Sequence, residues 1–388
     1  MAAKNYPSDR QLLSGNHAVS WGAKLARPQV APVYPITPQT PILEKITEFH
    51  SQGEMETELL TPESEHSAMA ACISASLTGA RVFTATSSQG LLLMHELLHY
   101  AAGARAPIVM FNVNRTPASP WGFWPDQLDS LAQRDTGWIQ LYSETPQESL
   151  DTVIQAFRIA ETVAIPTMIS HDAFYVSHAM EPVEVPPQSL VDEFLPPFEP
   201  RHCLDTERGQ SFGAPLDQAT WNRSRQETAA AMESVADVVS AAGEAWGEIT
   251  SRGYGPLEHY RAEDAEVLIV TMGSMSGTVR EAVDAMRDQG QAVGLLKVRL
   301  FRPLPVDALR QALEGVPCVL VLDRNYSLGM GGILHQELKS ALFGMPRAPR
   351  IHGLLAGVGG VNVSAAKIEQ LVADYREIEP AVDSQWVA

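Results

Sequence analysis

The sequence predicts an α/β protein built from two doubly wound units joined by a proline-rich connector. Three observations predict it. From about residue 15 to 180, short apolar runs alternate with stretches of helical spacing, the pattern of a mostly parallel sheet with helices on both faces. From residue 262 the alternation resumes with strands that are apolar almost throughout, as strands buried on both faces are. Between the two lie Pro182, Pro186, Pro187, Pro196, Pro197 and Pro200, which interrupt regular structure.

In the first unit the candidate strands are 30–34, 82–86, 107–113, 139–142 and 166–170, and the candidate helices 40–49, 66–77, 89–101 and 146–162. Thr37 before Pro38 and Thr61 before Pro62 read as N-caps followed by proline in the first helical turn. After the connector, 217–250 reads as a polar-faced helix with Ala231, Met232, Val235 and Val238 near helical spacing. Strands are expected in the last unit at 267–272, 293–300, 319–322 and 351–355. The expected domains are therefore 1–180, a linker with a packing helix at 181–261, and 262–388.

Composition narrows the function. The chain has 388 residues, 45% hydrophobic and 19% charged, with a net charge of −18. No stretch is strongly basic, which argues against binding nucleic acid or an anionic membrane. The first fourteen residues are polar and no apolar run reaches spanning length, so a cytoplasmic location is expected. Cys72, Cys203 and Cys318 are widely separated and form no C-x-x-C pair, so no zinc or iron–sulfur site is expected in this chain. Cys72 and Cys318 lie in apolar runs and read as buried thiols. His95 and His99 are four apart but have no third ligand in view, and read as core or interface histidines. The chain has no P-loop, no supported dinucleotide fingerprint and no G-x-S-x-G elbow.

Three polar residues mark strand–helix corners of the first unit: Thr37, Glu65 and Arg115. Open α/β sheets bind ligands beyond the carboxyl ends of their strands, and a hydroxyl, a carboxylate and a guanidinium meeting there suit a small carboxylate substrate and a cofactor ring nitrogen. Each has a plainer reading. Thr37 could only cap a helix, Glu65 could face solvent and favour the helix dipole, and Arg115 could make a surface ion pair. The loop Trp121-Gly122-Phe123-Trp124-Pro125-Asp126 is either folded onto the core or an interface, or walls a water-excluding pocket. Ser87-Ser88-Gln89-Gly90 opens a helix whose N–H groups could face an anion or cofactor ring. Gly329-Met330-Gly331-Gly332 reads as a loop needing positive φ.

Taken in order, these segments resemble the α subunit of the pyruvate:ferredoxin oxidoreductase family, the 2-oxoacid:acceptor oxidoreductases. The carriers are Tyr34-Pro35-Ile36-Thr37-Pro38, Glu63-Ser64-Glu65-His66-Ser67, Ser88-Gln89-Gly90-Leu91-Leu92-Leu93-Met94 and Ala132-Gln133-Arg134-Asp135-Thr136-Gly137-Trp138-Ile139-Gln140. In the last unit they are Met272-Gly273-Ser274, Lys297-Val298-Arg299-Leu300-Phe301-Arg302-Pro303 and Leu322-Asp323-Arg324-Asn325-Tyr326. The resemblance implies a pyrimidine-type thiamine diphosphate-binding domain followed by a transketolase C-terminal-like α/β domain. It implies that Glu65 hydrogen-bonds the pyrimidine ring nitrogen and so promotes loss of the thiazolium proton, with Pro35 and Ser88 also at the cofactor. Arg115 would hold the substrate carboxylate, with Thr37 assisting near the keto or carboxylate oxygens.

Such enzymes usually hold Mg²⁺ and the diphosphate with a Gly-Asp-Gly segment and a following Asn, and this chain has none. The chain is thus expected to be half of an active site. A β subunit would carry the diphosphate and Mg²⁺ site, and γ- and δ-type ferredoxin-like subunits the iron–sulfur clusters, with a flavoprotein as a further candidate partner. The implied reaction is CoA-dependent oxidative decarboxylation of a 2-oxo acid to acyl-CoA and carbon dioxide, with electrons passing to ferredoxin or NAD. The run Trp121–Gln127 departs from the Asn-Ile-Trp pattern of pyruvate-type α subunits. That leaves pyruvate or an aryl 2-oxo acid such as phenylglyoxylate, with oxalate and branched-chain 2-oxo acids less favoured. A non-redox thiamine diphosphate enzyme subunit and a non-catalytic assembly module are the alternatives.

Overall fold

Side chains of a strand alternate between its two faces, and here both faces are apolar. Val109, Phe111 and Val113 join a core with residues of helices Gly15–Ala26 and Pro146–Val163. Ile108 and Met110 face the other way, onto Met69, Cys72 and Leu98. The same division recurs later in the chain. Val267 and Ile269 pack with helices Met275–Asp288 and Ala365–Tyr375, while Leu268 and Val270 pack with Val306–Leu313 and Ile333–Leu342. Two sheets, each covered by helices on both sides, are the result.

The computed structural model describes residues 9–209 and 211–387; of the polar segment at the N-terminus, residues 1–8 lie outside the described residues. The first sheet runs in the order Leu300–Arg302, Ile139–Tyr142, Thr167–Asp172, Val109–Asn114, Phe83–Thr86. Its four strands from the first half of the chain are parallel. The parallel pair Val30–Pro32 and Glu58–Leu60 continues it through a bridge from Val30 to Val82. The second sheet runs Gln385–Trp386, Arg350–Leu355, Cys318–Asp323, Val267–Thr271, Val293–Val298, Leu257–Tyr260. Among the described residues no helix is long and apolar enough to cross a membrane.

Several expectations are corrected. The single helix expected at 89–101 is two, Ser88–Leu93 and His95–Gly103. The helix expected within 217–250 is also two, Gln218–Glu233 and Val235–Thr250, and the second buries Val235, Val239, Ala242 and Trp246 against the first sheet's core. Leu257–Tyr260, placed in the connector from sequence, is an antiparallel edge strand of the second sheet. Met180–Val185 pairs with Asp9–Ser14. The strand expected at 293–300 divides at Arg299: Val293–Val298 stays in the second sheet, and Leu300–Arg302 pairs antiparallel with Ile139–Tyr142 of the first. His95 and His99 are exposed, not core, residues.

Charges fasten this crossing. Lys297 Nζ lies 2.7 Å from Glu148 and 2.8 Å from Glu144. Burial works against its charge, but Glu148, Glu144 and Glu258 outweigh it and hold Lys297 up at about 12. Arg299, wholly buried, reaches Glu148 at 3.3 Å, the Thr152 hydroxyl at 2.9 Å and Gln155 at 3.2 Å. Glu144, Glu148, Thr152 and Gln155 all belong to, or just precede, helix Pro146–Val163 of the first unit. Removing one partner of a buried pair leaves an uncompensated charge. Lys297→Met should therefore lower unfolding free energy by about 3–5 kcal/mol, read from denaturant melts. Glu258→Gln, at the exposed rim of the same cluster, should cost about 1 kcal/mol or less.

Candidate functional site

Thr37, Glu65 and Arg115 reach one region of the first unit by different routes: Arg115 bonds the Thr37 carbonyl and Gln89, and the neighbouring Gly90 lies against Glu65. Thr37 lies in the turn before helix Thr40–Ser51 and caps nothing: the N-cap position is Gln39, and Pro41 follows in the first turn. Its side chain is exposed, and its carbonyl accepts from Arg115 Nη1 at 2.5 Å. The helix expected to follow Thr61 instead begins at Glu65, where the Ser64 hydroxyl accepts from Ser67 N at 3.2 Å. Pro35 is exposed in the same strand-end segment as Thr37.

Glu65 is 7% exposed, and among the described residues its carboxylate has no hydrogen-bond or ion-pair partner. Gly90 lies against it. A methyl group at position 90 would stand 2.6 Å from Glu65 Oε1 and 2.5 Å from the Thr86 hydroxyl. That hydroxyl is itself buried without a partner. An unpaired, nearly buried carboxylate is costly, and glycine is needed beside it for reasons of space. This is the donor–acceptor inventory that a heterocycle with a ring nitrogen would complete.

Arg115 follows strand Val109–Asn114 and is 3% exposed. Its Nη2 donates to Gln89 Oε1, and its Nε is buried without a partner. Burial lowers its proton affinity from the usual arginine range. Its guanidinium carbon sits 5.7 Å from the Trp121 ring centre and 5.3 Å from that of Phe123, within the range of a cation–π contact. The loop carrying those rings is pinned at its base, where Thr116 N donates to Trp124 O at 3.1 Å and the Thr116 hydroxyl to Gly122 O at 2.9 Å. Trp124 packs on Phe174, 5.2 Å between ring centres. Trp121 remains 70% exposed, so the loop's tip is not folded onto the core.

Ser88 corrects an expectation. It is wholly buried with φ of 48°, its N–H donates to Asp129 Oδ2 at 3.0 Å, and its hydroxyl to Thr116 O at 2.8 Å. The helix N-terminus expected to meet a cofactor or anion is filled by the protein's own carboxylate. Asp129, absent from the sequence reading, also accepts from Arg115 N at 3.2 Å and Asn112 Nδ2 at 3.2 Å. Burial, with Asp126 nearby, pushes Asp129 up to about 7; burial and Asp172 push Asp126 up to about 6. Only the apolar-then-polar run Trp124-Pro125-Asp126-Gln127-Leu128-Asp129 could have signalled it. Arg324 joins from the second sheet: its carbonyl accepts from Gln127 N at 3.0 Å, and its Nη1 reaches Asp172 at 3.1 Å.

The two loop glycines and two of the cysteines are as the sequence reading expects. Gly329 and Gly331 have φ of 86° and 93°. Cys72 and Cys318 are buried free thiols, and burial raises Cys72 to about 12. Among the described residues no three His, Cys, Asp or Glu side chains are grouped to hold a metal. A groove of about 1140 Å³ lies elsewhere, lined by Asp237, His259 and Leu304 among others, and none of the site residues borders it.

The family models place this α/β fold in the thiamine diphosphate-binding class. A family model described as pyruvate flavodoxin/ferredoxin oxidoreductase, thiamine diphosphate-binding, matches residues 21–243, and pyruvate:ferredoxin oxidoreductase core domain II matches residues 265–368. The ketoisovalerate oxidoreductase subunit VorA of Pyrococcus horikoshii is 48% identical over 375 residues, 96% of this chain and 95% of that protein. The pyruvate synthase subunit PorA of Methanothermobacter thermautotrophicus is 45% identical over 97% of both chains. Among solved structures, 2-oxoglutarate:ferredoxin oxidoreductase from Magnetococcus marinus matches with a TM-score of 0.74 at 21% identity, covering 96% of this chain and 66% of that one. A split-gene transketolase matches with a TM-score of 0.54 at 12% identity, covering 93% and 97%. The chain belongs to the pyruvate flavodoxin/ferredoxin oxidoreductase family, as an α-type subunit of the 2-oxoacid:acceptor oxidoreductases.

Two outcomes follow from the site's packing. Gly90→Ala should displace Glu65 or Thr86, lowering Tm and activity together, with circular dichroism otherwise native. The Asp129 carboxyl takes up a proton on folding, because its folded value exceeds the ordinary 3.8. Stability from the protonated form is present below that ordinary value and is lost as pH rises through about 7. The Tm of wild type minus that of Asp129→Asn should therefore fall between about pH 4 and about pH 7. A difference that rises would contradict the assignment.

Proposed function

We propose that this chain supplies the pyrimidine side of a shared thiamine diphosphate site in a CoA-dependent 2-oxoacid:ferredoxin oxidoreductase complex. The observation that carries the reading is Glu65: an unpaired carboxylate, 7% exposed, packed directly on a glycine beside the unpartnered Thr86 hydroxyl. Thiamine diphosphate, when bound, supplies the electron sink that lets a 2-oxo acid lose carbon dioxide. The work of this chain is to hold and orient. Glu65 keeps a proton on the pyrimidine ring nitrogen, and low solvent access strengthens that hydrogen bond. Arg115 offers its unpartnered Nε edge to the substrate carboxylate, while Gln89 and the Thr37 carbonyl fix the opposite side of the guanidinium. The exposed Thr37 side chain assists at the keto or carboxylate oxygens, and Pro35 lines the approach. Ser88 acts as a spacer that sets Gln89 and Gly90 rather than as a direct ligand.

The diphosphate and Mg²⁺ belong to a β subunit in this reading, since no Gly-Asp-Gly segment is present. Leu92 and Leu93, exposed on the helix that carries Gly90, suit a seam with that subunit. Iron–sulfur clusters and the electron exit fall to γ- and δ-type ferredoxin-like subunits, and a flavoprotein is required only if NAD is the acceptor. The substrate is a 2-oxo acid with an apolar side chain, packed on Trp121 and Phe123. Two relatives are named for ketoisovalerate and for pyruvate, and the exposed aromatic tip also suits phenylglyoxylate.

In the co-expressed complex, Glu65→Gln should lower turnover by about 100-fold or more while leaving assembly and melting temperature unchanged. Turnover near wild type would end this reading. Viologen-dye reduction with CoA, run on pyruvate, 2-oxoisovalerate and phenylglyoxylate in parallel, separates the substrates, and comparison of ferredoxin with NAD separates the acceptors. The chain alone should be inactive.

A further inference from the structure

We propose that Asp129 is the positioning residue of this site, holding both the Arg115 backbone and the Ser88 turn in the geometry that grips the 2-oxo acid. The inference rests on the function proposed above.

Three N–H donors converge on one oxygen of Asp129: Ser88 N at 3.0 Å, Arg115 N at 3.2 Å and Asn112 Nδ2 at 3.2 Å. Its other oxygen accepts from Ser130 N at 2.8 Å. A carboxylate is the acceptor that can serve four donors at once. Among the described residues no lysine, arginine or histidine side chain forms an ion pair with it, and it is wholly buried. A neutral side chain would cost the fold less here, so the charge is retained for what it holds.

The contacts beyond Ser88 show what that is. Ser88 has φ of 48°, a conformation that the bond to Asp129 helps secure. The next residue, Gln89, holds the Arg115 guanidinium, and the one after, Gly90, backs Glu65. Asp129 thus fixes Arg115 twice, through its own N–H and through Gln89, and fixes Glu65 once, through Gly90. An amide at position 129 cannot reproduce this. Its oxygen can face the three converging donors, but its NH₂ then meets the Ser130 N–H.

The test uses the co-expressed complex, with pyruvate and 2-oxoisovalerate as probes. Asp129→Asn should raise the KM for the 2-oxo acid by about tenfold or more, with the KM for CoA unchanged. Ser130→Ala is the matched control. It removes hydrogen bonds to Asn114 and Tyr142 at 2.8 Å in the same buried patch without touching Ser88 N or Arg115 N. Its KM should stay within about threefold of wild type. A purely structural role would lower the active fraction and leave both KM values alone, and that result overturns the proposal. An equal rise in Ser130→Ala also overturns it.

A measurement on the unaltered complex keeps the proposal open to refutation if Asp129→Asn does not assemble. The charged and titratable groups facing Asp129 are Asp126 on its own turn, Arg115 at the adjoining strand end and Tyr142 on the neighbouring strand. As Asp129 gains a proton, one acceptor site is lost, so the 2-oxo acid KM should rise as pH falls below about 7. A KM that is flat from about pH 5.5 to about pH 8 overturns the proposal. Failure of the function itself is separate: it would appear as an active Glu65→Gln complex, whatever Asp129 does.

Discussion

Arg299 and Lys297 are the constraint on which the rest of the molecule depends. Both leave the second sheet and enter the first unit's long helix Pro146–Val163, where Glu148 meets each of them. Burying cations is unfavourable unless they are paired and hydrogen-bonded, and this pairing has one geometry. It fixes where Leu300–Arg302 crosses to join Ile139–Tyr142, and so fixes the first sheet relative to the second. Arg324, beyond the end of strand Cys318–Asp323, is thereby brought against Gln127 and Asp172 of the first unit.

Within the cleft, function follows from crowding and from groups left without partners. Gly90 and Glu65 are so close that no side chain fits between them. Thr86, Arg115 Nε and the Glu65 carboxylate are all polar, nearly buried and unsatisfied among the described residues. Native interiors rarely leave such groups unpaired. They lie at the carboxyl ends of parallel strands, where open α/β sheets bind ligands.

The parallel core was legible in the sequence because buried strands are continuous apolar runs: Ile139–Tyr142 matches the expected bounds, and 82–86 and 107–113 each lie within a few residues of the strands seen. Edge strands were not. Leu257–Tyr260 and Met180–Val185 are half-exposed and carry no run of buried residues. The break at Met94 and the one at Ser234 escaped because both sides of each keep helical spacing. At the candidate site, Thr37, Glu65 and Arg115 could be singled out from sequence because each sits at a strand end or helix start. Asp129 was missed because its importance lies in contacts to Ser88 and Arg115, 41 and 14 residues away, which no local pattern encodes. Ser88 was misread for the same reason: a helix start advertises free N–H groups, and only the fold shows that a distant carboxylate has taken one.

The aromatic loop is tied down at Thr116 and Trp124 while Trp121 and Phe123 project from it. On the function proposed above, grip and taste are divided between separate parts of the site. The guanidinium is hydrogen-bonded by groups outside the loop, so on the function proposed above exchanging the two rings would remove a cation–π contact and reshape the space for the substrate's tail while keeping the hydrogen bonds that aim the guanidinium. On that same reading, a lineage could drift from small to bulky keto acids through such swaps without rebuilding the rest of the site.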